Sequence, residues 1–126
     1  MARPVHFEIY GSDPEALADF YGSLFGWTAQ RWGDESYWLI GTGDGPGIDG
    51  AIVRRRGSAP VEGAPVMGAT IVMGVEDIDA SLARAHELGA RGANAKMAVP
   101  GVGWAAHLRD PDGNVFGLFQ DDSEAE

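Results

Sequence analysis

Residues 4–10, Pro-Val-His-Phe-Glu-Ile-Tyr, alternate in polarity. Val5, Phe7 and Ile9 fall on one side and His6, Glu8 and Tyr10 on the other, the period-two pattern of a strand with one apolar face. The period then changes. Ser12 or Asp13 can cap a helix, Pro14 suits its first turn, and Glu15 favours the positive end of the helix dipole. Leu17, Phe20, Tyr21 and Leu24 follow at helical spacing, and Gly26 stops the run. Trp27 to Trp32 and Tyr37 to Ile40 read as strands about a Gly33-Asp34-Glu35 turn. The glycine-rich stretch from Gly41 to Gly50 reads as a loop, and Ile52 to Arg56 as a further strand.

Residues 57–68, with Pro60, Pro65 and glycines at both ends, are the best linker. Beyond it the pattern restarts. Ala69 to Val75 is rich in strand formers, and Asp77-Ile78-Asp79-Ala80 opens a helix with Ile78, Leu82, Ala85 and Leu88 on one face. Residues 91–98, 103–109 and 114–120 read as strands, the last two joined by the strong turn Asp110-Pro111-Asp112-Gly113-Asn114. The order is βαβββ twice, with Asp13 and Asp77, and Leu24 and Leu88, each 64 positions apart, so duplication is expected. Neither half is large enough to bury both faces of its sheet alone. The expected architecture is α+β: paired modules over about 4–56 and 69–120, a curved mixed sheet with helices outside and a central cavity, and an acidic, solvated tail at 121–126.

Composition narrows the function. The chain has 126 residues, a formal charge of −10 and no cysteine, which excludes disulfides, thiolate metal sites and cysteine nucleophiles. Its acidity disfavours a phosphate backbone as partner, so no nucleic acid is expected. No apolar run approaches the ~20 residues of a membrane span, and the first residues lack the apolar core of a signal peptide. A cytoplasmic location, with no membrane partner, is the expectation.

The strand His6-Phe7-Glu8-Ile9, followed by Asp13-Pro14-Glu15, Phe20-Tyr21 and Phe25-Gly26-Trp27, resembles the opening module of the vicinal oxygen chelate superfamily, which includes glyoxalase I, bleomycin-resistance proteins and extradiol dioxygenases. Val75-x-Asp77-Ile78-Asp79-Ala80, Pro100-Gly101-Val102-Gly103 and Asp110 through Leu118 agree with its second module. The match covers roughly residues 5–120. These motifs speak to fold more than to reaction. The resemblance implies a homodimer that binds a small organic molecule. In metal-using members it implies ligands on inward positions of the first and last strands of each module. Carried onto this chain, those positions are His6, Thr70, Gly117 and a residue near Val53 or Arg54. A catalytic divalent ion needs about three protein ligands. This set offers one imidazole, one hydroxyl, a residue without a side chain and, at Arg54, a cation. No cofactor is therefore expected; a divalent Zn, Ni, Fe or Mn ion is the alternative.

Other candidates follow from residue type. His6 and Glu8 share a strand face and can form an acid/base pair or contact a ligand. His107 alternates with Ala105 and Arg109, and if that face is inward it can join His6 and Glu8 in an unorthodox metal site, whereas His86 belongs to a solvated helix face. Trp27, Trp32, Trp38, Trp104, Tyr37 and Phe119 divide between packing and a ligand-stacking surface; Trp38, Trp104 and Phe119 are the expected ligand contacts, Trp104 first. Arg54 offers an anion contact, although charges on a solvated edge strand account equally for the Arg54-Arg55-Arg56 run. Gly45-Pro46-Gly47-Ile48-Asp49-Gly50 spells a dinucleotide fingerprint but precedes a strand rather than a helix. His6-Phe7-Glu8 spells part of a deaminase motif whose cysteines are missing. Three function classes remain: a metal-free binding protein; an isomerase, lyase or dioxygenase acting on a small oxygenated substrate, with a metal or with Glu8 and His6 as acid/base; and an interaction module whose aromatics fill its own cavity.

Overall fold

The computed structural model describes residues 3–33, 36–65 and 68–126. Within them the chain divides into two compact units, residues 1–59 and 60–126, each a βαβββ module. The expected turn residues Asp34 and Glu35, and residues 66–67 of the expected linker, lie outside the described residues.

Module one runs β1 (His6–Gly11), α1 (Pro14–Phe25), β2 (Thr28–Arg31), β3 (Tyr37–Gly41) and β4 (Asp49–Arg54). Its sheet has the order β1-β4-β3-β2, with β1 and β4 parallel and the other neighbours antiparallel. Strand β4 starts at Asp49, earlier than the glycine spacing suggests. Asp49 is tied to the preceding loop, where its carboxylate accepts from the Thr42 amide at 2.8 Å and the Thr42 hydroxyl at 3.1 Å. Helix α1 is capped by the Asp13 carboxylate, which accepts from the Ala16 amide at 3.2 Å, with Pro14 in the first turn. Pro14, Leu17, Ala18, Phe20 and Tyr21 are the helix's buried side chains. Trp27, just past the helix, stacks on Tyr21 at 5.2 Å between ring centroids and meets Phe25 at 5.3 Å and Phe7 of β1 at 5.6 Å. The Phe-Tyr and Phe-Gly-Trp motifs are thus the aromatic clamp that holds the helix to its sheet. Gly50 makes room for the clamp: a Cβ there would lie 2.5 Å from the Phe7 ring.

Module two repeats the plan: β5 (Val72–Gly74), α2 (Ile78–Glu87), β6 (Arg91–Val99), β7 (Gly103–Arg109) and β8 (Val115–Asp121), in the order β5-β8-β7-β6 with β5 and β8 parallel. Asp77 caps α2 as Asp13 caps α1, accepting from the Ala80 amide at 3.0 Å, so the 64-residue correspondence is a correspondence of helix starts. Gln120 of β8 accepts the Ile78 amide at 2.8 Å and ties that helix start to the sheet. Ile78, Ala85, Ala106, Leu108, Phe116 and Leu118 form the buried layer. The Asp-Pro-Asp-Gly-Asn turn closes on itself. The Asp110 carboxylate accepts from the Asp112 amide, the Asn114 amide and the Asn114 side chain at 2.9–3.0 Å. Gly113 has φ +91° and sits against the Pro60 carbonyl, which leaves no room for a side chain. Buried Arg109 donates to the Gly113 carbonyl at 2.7 Å and to the Ala64 carbonyl, fastening the turn to residues 60–65.

The strand ladders close within each module, giving two four-stranded sheets and an α+β architecture. No helix among the described residues is long and apolar enough to cross a membrane.

The last residues depart from the expected solvated tail. Asp121 completes β8, the Asp122 amide donates to the Val102 carbonyl at 3.0 Å, and the Gly101 amide donates to the Ala125 carbonyl at 2.9 Å. Ala125 is 3% exposed. The cause is a polar anchor that composition does not display. The Asp122 carboxylate accepts from the Trp104 indole at 3.0 Å and from the Glu124 amide at 2.9 Å. These two bonds, the indole first, hold the Asp122 carboxyl below its ordinary value of 3.8. A lowered folded-state value stabilises the fold above the ordinary value, and that contribution is lost as pH falls through the lowered one. On acidification below about pH 4, the wild type should therefore lose more stability than Asp122→Asn, with Trp104 fluorescence and urea midpoints as the measurement; equal acid sensitivity would show that the anchor carries no charge-dependent stability.

Candidate functional site

In each module one sheet face carries the helix and the other is free of it. Register decides which side chains stand where, because cross-strand partners share a face. On β1 the buried positions are Phe7, Ile9 and Gly11, and the exposed ones are His6, Glu8 and Tyr10. The second set pairs with Asp49, Ala51 and Val53 of β4. Ala51 and Val53 pair in turn with Leu39 and Tyr37 of β3. The open face of module one therefore presents His6, Glu8, Tyr10, Tyr37 and Leu39. Tyr10 remains 47% exposed. Trp32, 64% exposed, packs edge-on against Tyr37 with centroids 5.9 Å apart.

The Tyr37 hydroxyl lies 3.5 Å from His6 Nε2. By register Ala51 lies midway between the two residues, and it is fully buried. Glu8 stands on the same face as His6 and has no hydrogen bond or ion pair among the described residues. The face thus combines an imidazole with an aromatic hydroxyl, a free carboxylate and uncovered aromatic surface. It can move a proton or grip a flat molecule.

In module two, His107 pairs across β8 with Gly117, and Phe119 pairs with Ala105. Gly117 also pairs with Val72 of β5. The imidazole lies over the glycine: a Cβ on Gly117 would sit 3.2 Å from His107 Nε2 and 3.0 Å from a Val72 methyl. Thr70, half-buried, precedes β5 by two residues.

The remaining expected contacts stand elsewhere. Trp38 pairs with Ile52, which puts it in phase with Phe7 and Ile9 on the helix-covered side, and the Arg31 guanidinium lies over its ring at 5.9 Å. Arg54 pairs with Gly11 in the same phase, and its guanidinium donates to the Ser12 carbonyl at 3.1 Å. It therefore does not stand beside His6, and the cation expected there is absent from that face. Val53 takes that strand's open-face position. Trp104 pairs with Gln120 on the side that caps α2, bonds Asp122, and lies beneath the Lys96 ammonium at 4.6 Å. Lys96 itself pairs with Asp79 of α2 at 2.9 Å, so Trp104 belongs to a structural cluster rather than to the face of His107. His86 is exposed, as its helix face suggests, with Nδ1 3.1 Å from the Ala90 carbonyl.

Sequence reasoning missed the Tyr37–His6 pairing and the partner of His107 on β6. That partner is Asn94. Two register irregularities flank Asn94, between Gly92 and Asn94 and between Asn94 and Met97, and they break the alternation from which a face would be read. The pairing of Tyr37 with Val53 had no sequence signal beyond the alternation of β3.

The chain matches the model of the glyoxalase-like domain over residues 6–119 and belongs to that family, within the vicinal oxygen chelate superfamily. An anthracycline biosynthesis protein, DnrV of Streptomyces peucetius, is 29% identical over 128 aligned positions, spanning 93% of this chain; the chain spans 46% of that protein's length. A glyoxalase/bleomycin resistance protein/dioxygenase family enzyme from Burkholderia phytofirmans PsJN superposes with a TM-score of 0.74 at 18% identity, covering 96% of this chain and all of the other. The fosfomycin resistance protein FosX from Mesorhizobium loti gives 0.68 at 18% identity, with 96% and 92% covered. At these identities the structural likeness is one of fold.

The family resemblance implies a metal in some members, held at the positions that here carry His6, Thr70, Gly117 and Val53. Among the described residues no group of three or more His, Asp or Glu side chains is placed to hold an ion. Gly117 supplies no donor, its space is covered by an imidazole, and Val53 supplies only carbon. Tyr37→Phe removes the hydroxyl facing His6 at an exposed site. It should move the His6 ring resonances in NMR while changing unfolding stability by less than about 0.5 kcal/mol; unchanged resonances would mean the two groups do not interact in solution.

Proposed function

We propose that this protein binds a small organic molecule with a flat, apolar body, and that it does so without a divalent metal at the position its relatives use. The observation that carries the reading is the open face of module one, where Tyr10, Trp32, Tyr37 and Leu39 leave aromatic and apolar surface uncovered beside His6 and Glu8. Exposed aromatic clusters of this kind mark binding surfaces more often than chance packing does. The chemistry of the donor set supports the metal-free half of the proposal. A net charge of −10 favours ligands that carry an amine. That one relative is an anthracycline biosynthesis protein and one structural neighbour a fosfomycin resistance protein supports a small organic ligand. We place the protein as a cytoplasmic homodimer.

The test is a thermal-shift and equilibrium-dialysis panel of planar aromatic amines, an anthracycline among them, against neutral aromatics and aliphatic polyols. The planar amines should raise the melting temperature, corresponding to about 2–3 kcal/mol at a hundredfold excess over the dissociation constant. Trp32→Ala should weaken binding about 5–10-fold. Zn, Ni, Fe or Mn salts should leave both melting temperature and affinity unchanged. A panel without a single stabilising compound, or a stoichiometric ion retained by the purified protein through His6, overturns the proposal.

Glu8 favours a second reading: its free carboxylate, on the face of His6, can act as a base in a metal-free isomerase or lyase of the same superfamily. Glu8→Gln should then abolish turnover of a bound oxygenated substrate while leaving its affinity within about threefold; turnover that survives the substitution excludes Glu8 as the base.

A further inference from the structure

The open face of module two has an internal order that the function proposed above does not use. Its side chains form two adjacent rows across the sheet. One row runs Asn94, His107, Gly117, Val72, and the next runs Met97, Ala105, Phe119, Gly74. The first row holds two polar groups, with the imidazole lying over Gly117. The second is apolar and flat, with Met97 59% exposed and the Phe119 ring half-buried against Gly103, where a Cβ would come within 2.7 Å of it.

From this arrangement we infer that His107 and Asn94 form the polar half, and Phe119 and Met97 the apolar half, of a subsite for a planar ligand that carries a phenolic or carbonyl oxygen on one edge. The inference rests on the binding function proposed above and assigns it a specificity-determining residue.

Two features single out His107. Its ring is half-buried and lies over Gly117, with Nε2 3.2 Å from where a Cβ on that glycine would stand. Neither ring nitrogen has a hydrogen-bond partner among the described residues. A partly buried imidazole with both nitrogens unspent must be satisfied by solvent or by a ligand. In either neutral tautomer it offers one donor and one acceptor, which suits a phenol or a carbonyl equally. The exposed Asn94 amide, its partner across the strand pair, adds a second donor and acceptor on the same edge. One row away, an aromatic ring and a flexible thioether supply the surface on which a flat body rests. Gly117 is the enabling residue: any side chain there must push the imidazole aside.

The probes are 5-amino-1-naphthol and 1-aminonaphthalene, which share a ring system and an amine and differ by one hydroxyl. Dissociation constants come from equilibrium dialysis, and the His107 nitrogens are followed by NMR. The wild type should prefer the naphthol by about 5–10-fold, with the His107 nitrogen resonances moving on its addition. His107→Phe should bring the preference close to one while aminonaphthalene still binds, and His107→Gln should restore part of it. Gly117→Ala should displace the ring and lower the preference without loss of folded structure by circular dichroism. It serves as the independent variant if His107→Phe fails to fold. A preference that survives in both His107→Phe and Gly117→Ala, with both probes still bound, overturns this inference and leaves the binding function standing. A wild type that binds neither probe, nor anything else in the aromatic panel, overturns both.

Discussion

The parallel pairing of the first and last strands of each module is the constraint from which the rest of the structure follows. Because β1 lies beside β4 in register, Phe7 and Ile9 enter the buried layer and His6 and Glu8 are forced to the opposite side. Because β5 lies beside β8, Gly117 falls next to Val72 and in line with His107. Side chains alternate strictly along a strand, so a slip of one residue in either ladder would exchange the helix-bearing face for the open one. The aromatic clamp of Phe7, Tyr21, Phe25 and Trp27 makes that exchange costly in module one, since it would expose the largest apolar groups of the unit.

Much of the fold was legible because its signals are local. Asp13 and Asp77 announce helix starts by side-chain chemistry, and the Asp110 turn by residue type alone. Alternation placed His6 and Glu8 together because β1 is regular over its whole length. The site was less legible where it depended on pairing between distant strands. Trp38 and Arg54 have the residue types of a binding surface, yet only the register with Ile52 and Gly11 shows that they face the other way. Trp104 looked available because it follows a glycine-rich turn. Its partners come from a tail whose acidity suggested solvent, Asp122, and from a strand of irregular register, Lys96. The irregular register of β6 hid Asn94 for the same reason: pattern reading presumes a ladder without interruptions.

Comparing the two modules shows where the duplicated plan has been kept and where it has diverged. The helix starts, the parallel outer pair and the buried layer against each helix recur. The open faces share almost nothing: one carries an imidazole facing a tyrosine beside a free carboxylate, the other an imidazole over a glycine beside an apolar row. Burial constrains the first group of features through packing density, whereas the open faces are free of that constraint. A common scaffold supporting unlike sites is the expected behaviour of a fold that hosts many chemistries.

The contact between His107 and Gly117 bears on the history available to this lineage. A glycine codon ending in a purine becomes a glutamate codon by one base change, so a carboxylate at this position is close at hand genetically. Physically it is contested, because the incoming side chain meets an imidazole that must give way by a few tenths of an ångström. An acid acquired here would therefore come at the cost of the imidazole's present place.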